Sequence, residues 1–180
     1  QSFEAWLQVE SSGNLAPLVV AEIEFQKLPS GNVAGEVRSS DGKLVEQPAV
    51  VVLKDGRPYC WVLGQGGRYD LQLPVGTYTV YATARAHAPG PEKTVEIRAG
   101  NRLELDHRGL QAPGTLAFNV VERGSGRALD ARISVRSGYK PLIKFLGDKT
   151  FFTELKPVGH STLLVAPGQY EFDISAGGGF

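Results

Sequence analysis

The chain has 180 residues, of which 42% are hydrophobic and 21% are charged, and these proportions are typical of a folded globular protein. Its 19 lysines and arginines balance 19 aspartates and glutamates, so no field of one sign attracts nucleic acid or an anionic membrane. No apolar run reaches the length of about 18 residues that a membrane-spanning helix needs. We therefore expect no nucleic-acid partner and no membrane span.

Short apolar runs alternate with turn residues along the whole chain. The 22 glycines and 11 prolines fall between these runs, which indicates many short β-strands and little helix. The single cysteine, Cys60, lies in one of the runs, so we expect a buried hydrophobic side chain and not a catalytic thiol. The chain begins with Gln1 and contains no methionine, so we expect an N-terminus made by processing or by excision from a longer protein, after any signal peptide was lost.

The first 30 residues contain two apolar segments on either side of a polar turn at 11–14. In the second segment, 18–28, apolar residues recur at every second position from Val19 to Phe25, which is typical of a strand with one solvated face. The sequence therefore predicts a β-hairpin over residues 1–30. A lone hairpin is marginal in water, so these strands must pair either with the next domain or with a preceding one. Of the two, we favour the remnant of a preceding domain.

Residues 31–108 show the regular punctuation of a Greek-key β-sandwich, with a glycine-containing or polar turn after most apolar runs. Seven strands are predicted, at 33–38, 49–54, 59–63, 68–73, 77–84, 93–98 and 102–106. In the fourth strand Tyr69, Leu71 and Leu73 alternate with polar residues, so one sheet face is predicted to be core and the other solvated.

The same order of signals begins again after residue 108, so residues 109–180 are predicted to be a second, divergent sandwich. Turn glycine Gly42 aligns with Gly126, and the sequence around Gly76 aligns with that around Gly168. These alignments leave about eight extra residues in the second copy, which we place in 139–153. This insertion is unusually rich in aromatic residues.

Each copy contains a Gly-x-Tyr motif, Gly76 and Tyr78 in the first and Gly168 and Tyr170 in the second. Glycine supplies a backbone conformation that a Cβ would resist, and a tyrosine can bury its ring while the hydroxyl binds a neighbouring backbone group. We interpret all four residues as structural.

The first copy resembles the carboxypeptidase regulatory-like family in its turn DGK at 41–43, in GRY at 67–69 and in PVGTYTV at 74–80. The match covers about residues 32–106. The resemblance implies a transthyretin-like β-sandwich that accompanies a catalytic or transport domain. Taken with the repeat, the fold predicted for the whole chain is all-β, with two tandem Greek-key transthyretin-like sandwiches behind the N-terminal hairpin.

The second copy, with SGRAL at 125–129, ARI at 131–133 and PGQYE at 167–171, is similar to the segment that precedes the catalytic domain in certain bacterial metallohydrolases. Those enzymes carry a metal-dependent domain of the polymerase and histidinol phosphatase type. The resemblance implies a larger extracytoplasmic bacterial protein, periplasmic or secreted, whose catalytic domain is a neighbour of this chain.

Collagen-binding surface repeats of similar form carry a Lys to Asn isopeptide bond, which needs a buried glutamate on the strand after Gly-x-Tyr. The strand at 78–83 has no acid, and period two places Glu171 and Asp173 opposite Tyr170, on the solvated face. We therefore expect no such crosslink.

The three histidines, His87, His107 and His160, form none of the close-spaced pairs that metal sites use. We interpret His87 as a loop residue and His107 as part of the interdomain linker. No metal, cofactor or catalytic residue is predicted, so the chain itself is not expected to be an enzyme.

Two functions compete at this point. The first is a structural module that positions or oligomerises a catalytic domain through apolar surface on the N-terminal segment and the aromatic insertion. Its candidate interaction residues are Trp6, Trp61, Tyr139, Phe151 and Phe152. The alternative is a glycan- or cell-surface-binding module that stacks sugars on aromatic rings, with Trp6, Trp61, Tyr59 and Tyr81 as candidates.

Overall fold

The computed structural model describes residues 5, 7–141, 146–153 and 158–176. The chain divides into two compact units. Unit 1 comprises Gln1–Ala84 and Pro89–Leu110, and unit 2 comprises Arg85–Ala88 and Gln111–Phe180. The fold is all-β apart from one α-helix among the described residues, and the assignment of either unit to the transthyretin-like class stays a prediction.

Unit 1 is built from strands that the sequence largely predicted. Its strands within the described residues are β1 Ser30–Ser39, β2 Pro48–Lys54, β3 Arg57–Leu63, β4 Arg68–Pro74, β5 Gly76–Ala84, β6 Lys93–Ile97, β7 Arg102–Glu104 and β8 His107–Leu110. The seven predicted strands, β1 to β7, are confirmed, with ends that differ by a few residues.

These strands form two sheets around one core. The first sheet has the antiparallel order β3-β2-β5-β6, and the second has the order β4-β1-β7, with β8 pairing parallel to β1. Tyr69, Leu71 and Leu73 are buried in the core, as their alternation predicted. On the facing sheet Val50 and Val80 are fully buried. The apolar face of each sheet is thus removed from water by the other.

The interpretation of residue 107 as linker is wrong, because His107–Leu110 is the strand β8. It pairs with β1 through Val37 and His107 and buries Leu110 in the core. The segment has only four residues and contains Gly109 at a φ of 83°, so its local sequence gives a turn signal that the pairing with β1 overrides.

The predicted N-terminal hairpin is also wrong, because Ala16–Gln26 forms the helix α1. Pro17 lies in the first turn, where its missing N–H costs nothing, and Lys27 ends the helix in the left-handed conformation. The residues Ala16, Val19 and Ile23 share one face of the helix and are buried in the unit 1 core, where α1 contacts β3 and β4. The helix therefore covers the side of the sandwich where these two edge strands meet.

Unit 2 repeats the strand pairing of unit 1. Its strands within the described residues are β9 Gly114–Asn119, β10 Ala131–Ser137, β11 Thr150–Phe152, β12 His160–Val165 and β13 Glu171–Ala176. One sheet has the order β11-β10-β13 and the other pairs β12 with β9, all antiparallel. These correspond to β3-β2-β5 and β4-β1 of unit 1.

The aromatic insertion is only partly a loop. Phe151 and Phe152 belong to β11, where Phe151 pairs with Ile133 as Val62 of β3 pairs with Val50. β11 thus takes the place of β3, and the extra residues lie on either side of it. Among the described residues, no helix has the length and apolar character needed to cross a membrane.

Candidate interaction surfaces

The two Gly-x-Tyr motifs adopt the same geometry. Gly76 and Gly168 both have a φ of 157°, which residues with a Cβ rarely adopt. The hydroxyl of Tyr78 donates a hydrogen bond to the carbonyl oxygen of Pro74 at 3.1 Å, and Tyr170 donates to Ala166 at 2.8 Å. The four residues thus hold the turn between the fourth and fifth strands of each unit.

Trp61 is tied to the segment that precedes α1. Its indole nitrogen donates a hydrogen bond to the carbonyl oxygen of Gly13 at 2.7 Å, and its own carbonyl accepts one from the backbone N–H of Leu15. Tyr59 donates a longer bond, 3.4 Å, to the carboxylate of Glu22 on α1. Both rings are half-buried, and these contacts do not favour the glycan alternative. Tyr81 is also half-buried, and Trp6 lies outside the described residues.

The remaining sequence-predicted aromatic residues divide between two faces of unit 2. Tyr139, Phe151 and Tyr170 line one small cavity together with Leu146, which is buried. Burial, and secondarily the proximity of Tyr139, raises the pKa of the Tyr170 hydroxyl, which keeps it protonated as a donor. Phe152 points to the other face of β11 and is 48% exposed.

The core-facing side of β13 is more exposed than its counterpart in unit 1, a difference that the sequence did not reveal. Phe172 and Ile174 pair with the buried Val135 and Ile133 of β10, and paired residues point to the same side of a sheet. Even so, Ile174 is 50% exposed and Phe172 only half-buried.

Unit 1 buries the same positions. Counted from the Gly-x-Tyr motifs, Phe172, Ile174 and Ala176 correspond to Val80, Ala82 and Ala84, none of which is more than 3% exposed. Ala176 is exposed as well. We call Phe118, Phe172, Ile174 and Ala176 the open side of unit 2.

One residue pair of the second sheet differs between the two units. In unit 1 Gly35 of β1 pairs with Tyr69 of β4, whose hydroxyl donates a hydrogen bond to the carbonyl oxygen of Leu105 at 2.5 Å. A Cβ at Gly35 would collide with that same carbonyl group. Tyr69 thereby holds the segment between β7 and β8 against the sandwich.

In unit 2 the corresponding pair is Phe118 of β9 and Ser161 of β12, so the aromatic ring lies on the first strand of the pair and not on the second. Phe118 packs edge-on against Phe172 with ring centroids 5.2 Å apart. Ser161 cannot make the contact that Tyr69 makes. At this pair unit 2 thus has its aromatic ring on β9, whereas unit 1 has it on β4.

Two carboxylates lie on the outward face of β13, opposite the open side. Glu171 and Asp173 are exposed and alternate with the core-facing residues of β13, as predicted. Arg136 of β10 lies 4.0 Å from Asp173, and both side chains are exposed. Among the described residues, no strand pairs with the edge of β13 that faces away from β10.

Burial shifts the pKa values of the cysteine and one histidine of unit 1. Burial raises the pKa of the Cys60 thiol to about 12, which leaves the thiol protonated and unreactive. Burial lowers the pKa of His107 to about 4, and among the described residues its Nε2 atom has no hydrogen-bond partner. No group of three or more His, Cys, Asp or Glu side chains suited to a metal ion occurs in the described part of the chain.

Exposed charges on the second sheet of unit 1 are largely paired with each other. The ion pairs join Arg38 with Glu36, Arg68 with Glu36, Arg102 with Asp70, Arg102 with Glu104, and Arg108 with Asp106. Several of these residues line an open depression of about 740 Å³. Because water screens these surface pairs, they contribute little to the stability of the fold.

Comparison with known proteins gives a likeness of fold only. No family model and no curated protein matches the sequence. Similar solved structures include the Bacillus anthracis TIE protein (15% identity, TM-score 0.39, covering 82% of this chain and 28% of that one) and a streptococcal ancillary pilin (13%, 0.41, 84% and 59%). The chain thus spans less than two thirds of the length of each of these two proteins.

A DUF3823 family protein from Parabacteroides merdae is also similar, with 14% identity and a TM-score of 0.36, covering 83% of this chain and 81% of that one. At these TM-scores the likeness adds nothing to the fold described above.

Proposed function

We propose that this chain is a non-catalytic structural and interaction module of a larger extracytoplasmic bacterial protein. The observation that carries the proposal is the open side of unit 2, where Phe172 and Ile174 leave apolar surface in water at positions that unit 1 buries. Exposed apolar surface at a defined position is typical of a surface that binds another protein.

The identity of the neighbour is proposed from sequence resemblance alone. The carboxypeptidase regulatory-like motifs and the segment similar to metallohydrolase accessory regions favour a metal-dependent hydrolase domain, which the module positions or brings into an oligomer. The placement outside the cytoplasm has the same basis.

The interaction role is tested on residues 1–180 by light scattering and by binding of a dye that fluoresces on exposed apolar surface. We expect dye binding, and we expect it to fall when Ile174→Lys places a charge on the open side. Ser175→Lys is the matched control, because it adds the same charge at the next position, on the other face of β13. A monomer that binds no dye contradicts the proposal.

The non-catalytic role is tested separately by measuring transition metals in the purified chain and by screening it for hydrolase activity. We expect neither a stoichiometric metal nor turnover. Either result, if positive and abolished by substitution of His87 or His160, overturns this part of the proposal.

A further inference from the structure

The second sheet of unit 1 has an edge at β4. Strand β1 pairs with β4 on one side and with β7 and β8 on the other, and among the described residues no strand pairs with the outer edge of β4. The N–H of Val37 donates a hydrogen bond to the carbonyl oxygen of Gly67 at 2.8 Å. Because main-chain bonds alternate along an antiparallel pair, the N–H and C=O groups of Tyr69 and Leu71 also point towards β1.

Asp70 and Gln72 alternate with these residues, so their N–H and C=O groups point to the outer edge of β4. At Arg68 the same side is already occupied, because Gln65 and Arg68 exchange two main-chain hydrogen bonds of 3.0 Å. Within the described part of the chain, the main-chain groups of Asp70 and Gln72 have no hydrogen-bond partner. Unpaired main-chain groups on an edge strand are a template for pairing with another chain. We call Asp70 and Gln72 the free edge of β4.

We propose that the free edge of β4 binds a short extended segment of a partner polypeptide, with a lysine or arginine opposite Asp70 and an apolar residue opposite Leu71. Main-chain hydrogen bonds to Asp70 and Gln72 provide part of the affinity, and the side chains of the segment provide the specificity. The inference goes beyond the proposed function, because it concerns unit 1 and does not depend on the open side of unit 2.

The charges on the outer face of this sheet favour a basic residue opposite Asp70. Arg102 lies 2.7 Å from Asp70 and 2.9 Å from Glu104, so one guanidinium offsets two carboxylates. All three side chains line the depression of about 740 Å³, and opposite charges on opposed residues stabilise a sheet. The one basic residue of β4 is Arg68, whose main chain is already paired with Gln65. The β4 strand of a second copy therefore does not supply the basic residue.

The residue opposite Leu71 must be apolar. Leu71 points into the core and is 3% exposed, and directly opposed residues point to the same side of a sheet. A second depression, of about 410 Å³, lies beside the free edge, where Val20 of α1 and Val62 of β3 line it together with Leu71. A valine or isoleucine opposite Leu71 therefore has apolar neighbours, whereas a charged side chain there would lose hydration without gaining a partner.

The test uses residues 1–180 and a labelled seven-residue peptide with a central lysine, a valine on each side of it and threonine at the other positions. We expect binding by fluorescence anisotropy. The amides of Asp70 and Gln72 should exchange rapidly in the free protein and slowly with the peptide, because only the peptide pairs them. The control peptide has glutamate in place of lysine and should bind at least about threefold more weakly at low salt.

Two variants at one position locate the binding. Gln72→Pro removes an N–H that points away from β1, a position where an edge strand tolerates proline, and it should weaken peptide binding by about tenfold or more. Gln72→Ala is the matched control: both variants lose the 2.8 Å side-chain bond to Ser30, but alanine keeps the N–H and should weaken binding by less than about threefold.

Circular dichroism shows whether both variants remain folded. If Gln72→Pro fails to fold, Asp70→Asn replaces it. The Asp70 side chain is 50% exposed, so this substitution should leave the fold intact and remove the preference for the lysine peptide over the glutamate peptide.

Three results overturn the inference. They are equal binding of the two peptides at low salt, no slowing of exchange at Asp70 and Gln72 when the peptide is added, and slow exchange at both amides in the free protein, since the edge is then already paired. Dye binding at the open side of unit 2 reports on the proposed function and should be unchanged by Gln72→Pro. The inference and the proposed function can therefore fail separately.

Discussion

The hydroxyl of Tyr170 donates a hydrogen bond to the carbonyl oxygen of Ala166, four residues earlier in the chain, at 2.8 Å. Tyr78 makes the same bond to Pro74 in unit 1. The two units thus share this tyrosine-to-carbonyl hydrogen bond, although most of the surrounding side chains differ.

Removing either hydroxyl should weaken only the unit that contains it. We expect Tyr78→Phe and Tyr170→Phe each to lower the free energy of unfolding by about 0.5 to 1.5 kcal/mol, because the ring stays and one hydrogen bond is lost. Urea unfolding with residue-resolved hydrogen exchange measures this. Tyr59→Phe is the control, since its hydroxyl bond is long and exposed, and an equal loss there argues against the special role of the turn.

The glycines of these turns are required for backbone conformation and not for space. A Cβ at Gly76 or Gly168 would lie 3.5 Å or more from its neighbours, yet both residues have a φ of 157°. We therefore expect Gly76→Ala and Gly168→Ala each to cost about 1 to 3 kcal/mol of stability.

Gly114→Ala is the matched control for these two substitutions. Its φ lies outside the range that disfavours side chains, and a Cβ there would have room. It should change the thermal midpoint little, by an amount equivalent to less than about 1 kcal/mol. A loss as large as that at Gly168 would show that the cost is not one of backbone strain.

Most of the fold could be predicted because its signals are local. Turn glycines and period-two alternation define β1 to β7, and alternation alone places Tyr69, Leu71 and Leu73 in the core. The helix α1 was missed because Val19 and Ile23 satisfy both a period of two and a helical spacing of four. Only contact with β3 and β4 decides between them.

The open side of unit 2 could not be predicted, because exposure depends on what covers a residue. Ile174 and Ala82 occupy equivalent positions and are both apolar, so sequence alone gives both the same expectation of burial. The exchange of the Gly35 and Tyr69 pair for Phe118 and Ser161 was visible in the sequence. Its meaning required the register of the strands.

His107 should make unit 1 sensitive to acid. Burial, followed by the charge of Lys93, lowers its pKa to about 4, whereas Asp106 acts in the opposite direction. In the unfolded chain a histidine has a pKa of about 6.5. Between these values the unfolded state binds the extra proton, so stability falls as pH decreases from about 6.5 to about 4, by up to about 3 kcal/mol.

Replacing His107 tests whether a buried, neutral histidine causes this acid sensitivity. His107→Phe keeps a ring near Tyr69, whose centroid is 5.8 Å away, and removes the nitrogen that has no partner among the described residues. The variant should lose the decrease in stability between pH 6.5 and 4 and should be at least as stable as the parent at pH 7. Urea unfolding across this pH range measures both, and an unchanged pH profile contradicts the buried neutral histidine.

Substitutions along α1 distinguish the helix from the strand that the sequence predicted. In a strand Ile23 and Phe25 would share one face, so both would be costly to truncate. In the helix Ile23 faces the core with Val19, and Phe25 is 61% exposed. Ile23→Ala should therefore cost about 2 to 5 kcal/mol, and Phe25→Ala less than about 1 kcal/mol. Similar losses of stability at both positions in chemical unfolding would support the predicted strand instead of the helix. The side of the sandwich between β3 and β4 would then lack the cover that α1 provides.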